Sequence, residues 1–113
     1  MLFQFSLAPS GSPADIQAQD IGSSSLRVTW RAPTALEQNG ILTLYTVYYQ
    51  VVGGVMGKKQ IPYPQTEAVL TGLEENVQYN IFVTASTKAG EGPRSFSFSV
   101  RTALKGKKVC FGF

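Results

Sequence analysis

The sequence has no histidine and a single cysteine, Cys110. A nucleophile activated by an imidazole, a Cys/His pair and the usual His/Cys zinc sets are excluded by inventory alone. One thiol cannot form an internal disulfide, so stability has to come from packing. Charge is sparse as well: 15% of the residues are charged, and the formal net charge is +3. Outside Lys58-Lys59 and the trio Lys105, Lys107 and Lys108, the cationic residues are scattered. A nucleic-acid groove needs a denser basic stripe interleaved with exposed aromatics, so no nucleic-acid partner is expected. No apolar run approaches the ~18 residues of a membrane span, and no direct membrane insertion is expected. The opening MLFQFSL is apolar, but it has no basic n-region and Gln4 and Ser6 interrupt it. It reads as an excised piece or an unusual terminus, not as a secretory signal. None of Asn39, Asn76 and Asn80 has the hydroxyl residue two positions on that N-glycosylation requires.

What is present is a chain of 113 residues, enough for one domain with its own core. Proline, glycine and serine in Ala8-Pro-Ser-Gly-Ser-Pro13 mark a linker, so residues 1–12 are expected to be a flexible segment. A short strand over 14–19 with Ile16 and Ala18 inward follows, then a turn at Gly22-Ser23-Ser24. Leu26, Val28 and Trp30 alternate with Arg27, Thr29 and Arg31, which makes a half-buried strand and puts the lone tryptophan at the centre of the core. Residues 32–40 read as a loop, bounded by Pro33 and by a turn at Asn39-Gly40. Beyond it Leu42, Tyr45, Val47 and Tyr49 form an inward set whose odd first step implies a bulge. Three glycines between Val51 and Ile61 suggest a short strand in a flexible hairpin, and Pro62 and Pro64 should break pairing before Ala68 and Leu70 turn inward.

The most regular stretch runs from Leu70 to Gly92. Tyr79, Ile81, Val83 and Ala85 fall on one face of an extended segment, and Asn80, Phe82, Thr84 and Ser86 on the other. A glycine-marked hairpin leads to a last strand in which Phe96, Phe98 and Val100 alternate with serines and Arg101, ending at Thr102. Seven strands without any helical period predict an all-β, seven-stranded antiparallel Greek-key sandwich, immunoglobulin-like in architecture.

Leu73, six residues before Tyr79 across a polar turn, resembles the corner of a fibronectin type III domain, where a tyrosine hydroxyl folds back onto the preceding loop. Trp30 and the run Asn39-Gly40, Leu42, Tyr45, Val47, Tyr49 are similar to that family too. The resemblance covers residues 13–102 and leaves 103–113 as a flexible basic tail. It implies a structural core of Trp30, Tyr45, Val47, Leu73, Tyr79, Ile81 and Val83. Family members often carry a proline two residues after the corner leucine, and here that position is Glu75.

Three surfaces are candidates for contact. The hairpin Lys88, Ala89, Gly90, Glu91, Gly92, Pro93 and Arg94 corresponds to a loop that protrudes in the family and in some members carries Arg-Gly-Asp for integrin. That tripeptide occurs nowhere here, and turn geometry alone also explains the glycines. Lys58 and Lys59, with Arg27 and Arg31, form a basic surface for a sulfated glycosaminoglycan, or else a solvated tip that discourages edge pairing. Tyr48 and Phe82 form an outward aromatic pair, either an interaction face or ordinary cross-strand packing. The end Cys110-Phe111-Gly112-Phe113 fits a C-a-a-X box poorly, since neither middle residue is aliphatic, and a free thiol able to dimerise on oxidation is the other reading.

These features point to a monomeric, cofactor-free and non-enzymatic module that meets other proteins and neighbouring domains of its own chain. The resemblance implies one repeat, interaction module or spacer, from the ectodomain of a cell-surface receptor, adhesion or matrix protein. Alternatives are a structural repeat of an intracellular, muscle-type filament, or a passive ectodomain repeat of a receptor tyrosine phosphatase or kinase.

Overall fold

The computed structural model describes residues 7–104, so Cys110 and the other residues of the tail beyond Leu104 lie outside the described residues. Two antiparallel sheets face each other. The smaller has the order β1 (Ala14–Gly22), β2 (Ser25–Arg31), β5 (Glu67–Leu70). The larger has the order β4 (Met56–Pro62), β3 (Leu42–Val51), β6 (Gln78–Thr87), β7 (Gly90–Glu91), with β8 (Phe98–Arg101) also on β6. The predicted last strand, from Phe96 to Thr102, is thus reduced to β8, and β7 lies within the predicted hairpin loop, along the same neighbour.

Side-chain alternation builds the core. Leu26, Val28, Trp30, Ala68 and Leu70 enter it from the smaller sheet, and Tyr45, Val47, Ile81, Val83 and Ala85 from the larger. All seven residues of the expected structural core are buried. Trp30 meets Tyr45 edge to face, with ring centroids 5.4 Å apart, the geometry in which a positive ring edge meets a negative face. The bulge implied by Leu42 and Tyr45 sits between Leu42 and Leu44, where β3 shifts register against β6. Leu73 plugs the end of the core, and the Glu74 N–H donates to the Tyr79 hydroxyl at 2.8 Å.

Four local expectations are corrected. The loop after β2 contains one helical turn, α1 (Ala35–Gln38), in which the Glu37 N–H bonds the Thr34 carbonyl at 2.9 Å and Asn39 ends the turn in the left-handed region at φ 57°. Four residues are too few for a helical period to show in sequence. The first strand extends past Gln19 to Gly22, leaving only Ser23-Ser24 as the turn. The glycine-rich hairpin holds a seven-residue strand, β4, paired with β3 from Gln50↔Met56 to Leu44↔Pro62. Proline is admissible at that last position because β4 is an edge strand.

The fourth correction concerns the phenylalanines near the end. Phe96 is 93% exposed, and pairing begins only at Phe98. Pro93 has no N–H to donate, and Ser95 restores the contact with β6 instead. Its N–H bonds the Val83 carbonyl at 2.9 Å, and its hydroxyl accepts from the Val83 N–H at 2.9 Å. Ser95 is buried in consequence, and the Phe96 ring is left outside.

Candidate interaction face on the larger sheet

β3 and β6 place Tyr48 directly opposite Phe82 on the outer face of the larger sheet. The two rings stack with centroids 4.8 Å apart and planes inclined by 21°. Over the Phe82 ring the Arg94 guanidinium carbon lies 4.8 Å from the centroid, a cation–π contact. On the other flank Tyr48 pairs with Lys58 of β4.

Glu91 joins these residues. Its backbone pairs with Ser86, which carries its carboxylate back over the sheet. One oxygen accepts from the Tyr48 hydroxyl at 2.5 Å and from the Thr84 hydroxyl at 2.6 Å. The hydrogen bonds from Thr84 and then Tyr48 hold the Glu91 carboxyl below its usual range, with Lys58 adding to them and burial opposing. Tyr48 moves the other way, pushed up to about 12, first by its bond to Glu91, then by burial and by the carboxylate charge. Alongside runs a shallow polar trough of about 220 Å³, lined by Thr46, Lys58, Gln60 and Ser86 among others. The face is an ordered row of a cation, two rings, a carboxylate and hydroxyls.

This arrangement changes the reading of the three candidate surfaces. The stretch Lys88 to Arg94 does not protrude as a seven-residue loop: only Lys88-Ala89 form the turn, since Thr87 pairs with Gly90 and the Gly92 N–H bonds the Ala85 carbonyl at 2.9 Å. The Thr87 hydroxyl closes the turn by accepting from the Ala89 N–H at 3.1 Å. Gly90 takes a positive φ, and Gly92 does not; a Cβ at Gly92 would meet Pro9 at 2.8 Å. Glu91 and Arg94 instead join Tyr48 and Phe82, so the hairpin and the aromatic pair are one surface.

The four cations proposed as a basic patch are not all brought together. Strand alternation sends Lys58 and Lys59 to opposite faces of β4. Lys58 lies beside Glu91, and the Lys59 ammonium donates to the Val69 carbonyl at 2.9 Å. Arg27 and Arg31 lie on the smaller sheet, each paired with a carboxylate, Glu67 at 3.3 Å and Asp15 at 3.0 Å. Val69 is the cross-strand partner of Arg27, so Lys59 sits near Arg27, which shares the smaller sheet with Arg31, while Lys58 lies on the outer face of the larger sheet, and the four do not make one patch.

Sequence reasoning missed the pairing of Glu91 with Thr84 and the stacking of Arg94. Thr84 shares the outward phase of Phe82, which was a usable signal; the return of Glu91 onto the sheet was not visible in any periodicity. Among the described residues, no group of three His, Cys, Asp or Glu could hold a metal ion, and no helix is long and apolar enough to cross a membrane.

The family model of the Fibronectin type III domain matches residues 11–101. The chain belongs to the fibronectin type III family. Its Tyr79 corner and two-sheet order are the family's fold in this sequence. Among curated proteins, this fibronectin type III domain is 37% identical over 99 residues to Receptor-type tyrosine-protein phosphatase F of Danio rerio, covering 84% of the chain and 5% of that protein. It is 40% identical over 88 residues to Cell adhesion molecule Dscam1 of Drosophila melanogaster, covering 76% of the chain and 4% of that protein. The chain therefore corresponds to a small part of each, and for the phosphatase the shared part is the fibronectin type III domain. Among solved structures, the FN5 domain of Drosophila Lar superposes with a TM-score of 0.70 at 29% identity, covering 84% of this chain and 97% of that one.

Proposed function

We propose that this fibronectin type III domain is a non-catalytic protein-interaction module in the extracellular portion of a cell-surface receptor or adhesion protein, with residues 13–102 as the sandwich and 7–12 packed against its end instead of forming a flexible linker. Its contact surface is the outer face of the larger sheet, with Tyr48, Phe82, Glu91 and Arg94 as the residues a partner meets. The observation that carries this reading is the contrast between the two outer faces. On the smaller sheet Arg27 and Arg31 are each neutralised by a carboxylate of the same face. On the larger, Arg94 rests on an aromatic ring next to a row of fixed polar groups, so its charge is available to a partner. The relatives' names, a receptor-type phosphatase and a cell adhesion molecule, support the extracellular setting and a recognition role.

The test is staining of a panel of neuronal and epithelial cell lines with the chain multimerised on a fluorescent scaffold. Arg94→Glu and Phe82→Ser should abolish staining of any responsive line, and Arg27→Glu should leave it intact. Equal loss in all three variants, or in none, would remove the larger sheet as the contact surface.

A further inference from the structure

Residues 7–12 lie across the end of the sandwich where α1 and the Lys88-Ala89 turn meet. The Leu7 N–H donates to the Asn39 carbonyl at 2.9 Å, and the Leu7 carbonyl accepts from the Thr87 hydroxyl at 2.7 Å. The Asn39 side-chain amide donates to the Ala8 carbonyl at 3.2 Å, and the Ser10 N–H to the Glu37 carbonyl at 2.8 Å. Pro9, Gly11 and Pro13 are buried. The fit is close at two glycines. A Cβ at Gly92 would lie 2.8 Å from both the Cβ and the carbonyl oxygen of Pro9, and one at Gly11 would fall 2.3 Å from the Glu37 carboxylate. Both positions require the absent side chain.

These contacts fall on either side of β7. Thr87 precedes it and Gly92 follows it, while Ala8 packs against Gly90, where a Cβ would lie 3.7 Å from the Ala8 Cβ. β7 has only two residues, paired as Ser86↔Glu91 and Thr87↔Gly90. So short a piece of ladder holds little stability of its own and belongs to the low-stability end of a fold. Yet it is what positions the Glu91 carboxylate between Tyr48 and Thr84.

We propose that residues 7–12 are a latch on the interaction face: seated, they press β7 onto β6 and keep Glu91 engaged, and when they are pulled or rotated away β7 loosens and the face loses its order. The proposal rests on the reading of that face as the contact surface and adds its regulation. A change at the N-terminal junction, such as tension or reorientation of the chain upstream of Leu7, is thereby transmitted to Tyr48, Phe82 and Arg94 through contiguous contacts. Linkage makes the coupling reciprocal, so a partner that grips Glu91 tightens the latch.

The experiment measures the two ends separately in the full chain, without any partner. Asn39→Gly keeps a residue suited to the left-handed φ of 57° and removes the amide bond to Ala8. Gly92→Ala pushes on Pro9 and, less closely, on the Ala85 carbonyl of β6, so Asn39→Gly is the deciding variant. In both, amide exchange at Leu7 and Ser10 should rise by roughly tenfold, a coupling of ordinary size. The Tyr48 phenol, followed by NMR, should move from about 12 towards 10.0 as Glu91 disengages. Glu91→Gln should in turn speed exchange at Leu7. Should Gly92→Ala fail to fold, Asn39→Gly decides alone. Faster exchange at Leu7 and Ser10 with an unmoved Tyr48 titration would overturn the latch and leave the contact face standing. Loss of cell staining in Arg94→Glu bears on the face only, so the two ideas fail separately.

Discussion

The Tyr48 hydroxyl and the Glu91 carboxylate, 43 residues apart in the chain, meet at 2.5 Å on the outer face of the larger sheet. Each moves the other's proton affinity, and in opposite directions. The carboxylate makes the phenol harder to ionise, and the phenol keeps the carboxylate ionised.

A pH dependence of stability follows from that pair. Glu91 titrates below its ordinary value of 4.5 in the fold, so its contribution is present above about that pH and is lost as pH falls through the lowered value. Tyr48 titrates at about 12 in the fold against 10.0 when free, so its contribution is complete below pH 10.0 and is lost as pH rises towards 12. Midpoints of urea unfolding should show a plateau between these limits. Glu91→Gln should weaken the acid limb, and Tyr48→Phe should weaken the alkaline one, to which Tyr45, raised by burial, still contributes. An alkaline limb unchanged in Tyr48→Phe would show that the bond does not persist in solution.

The Tyr79 hydroxyl accepts the Glu74 N–H across the corner at 2.8 Å. Tyr79→Phe keeps the buried ring and removes that acceptor, at about 1 kcal/mol. For a domain of this size the loss lowers Tm by roughly 4–8 °C. Thermal unfolding followed by circular dichroism checks it, and a melt that overlays the parent's would remove the corner from the account of stability.

Ser95 and Phe96 give a sharper test, because hydrophobicity and structure rank them oppositely. Ser95→Ala deprives the buried Val83 N–H of its acceptor and should cost about 1–3 kcal/mol. Phe96→Ser removes a ring that is 93% exposed and should change stability by no more than about 0.5 kcal/mol. Chemical denaturation of both variants reads the order, and a larger loss at Phe96 would restore it to the core.

A further contrast separates the two sheets. Phe82→Ala removes the partner of both Tyr48 and Arg94, and aromatic pairs of this geometry contribute about 0.5–1.5 kcal/mol beyond burial. Arg27→Ala breaks one exposed ion pair with Glu67 and should cost under about 1 kcal/mol. Denaturant midpoints should therefore fall more in the first variant, and the reverse order would mean that the stacked row adds nothing to stability.

Period-two alternation made most of the sandwich legible: Leu26/Val28/Trp30, Tyr45/Val47 and Tyr79/Ile81/Val83 are inward in sequence and buried in space. Burial on one face leaves a direct trace in the pattern, because a one-residue slip would expose the whole set. The spacing of Leu73 and Tyr79 located the corner for a similar reason, since both ends of that contact lie within one short turn. α1 and the phase of Phe96 escaped the same reading. The first is a single turn, and the second is governed by Pro93 and by the Ser95 hydroxyl in place of a backbone acceptor.

By itself, then, the sequence determined the family and the core, because these depend on residue type and on local period. Only the tertiary structure decided the site. Cross-strand register set Tyr48 on Phe82, the fold-back of β7 brought Glu91 to them, and alternation sent Lys58 and Lys59 to opposite faces of β4 while Arg27 and Arg31 stayed together on the smaller sheet. Contacts between residues some forty positions apart depend on how strands pair, and pairing is a property of the closed sheet that no local window of sequence contains.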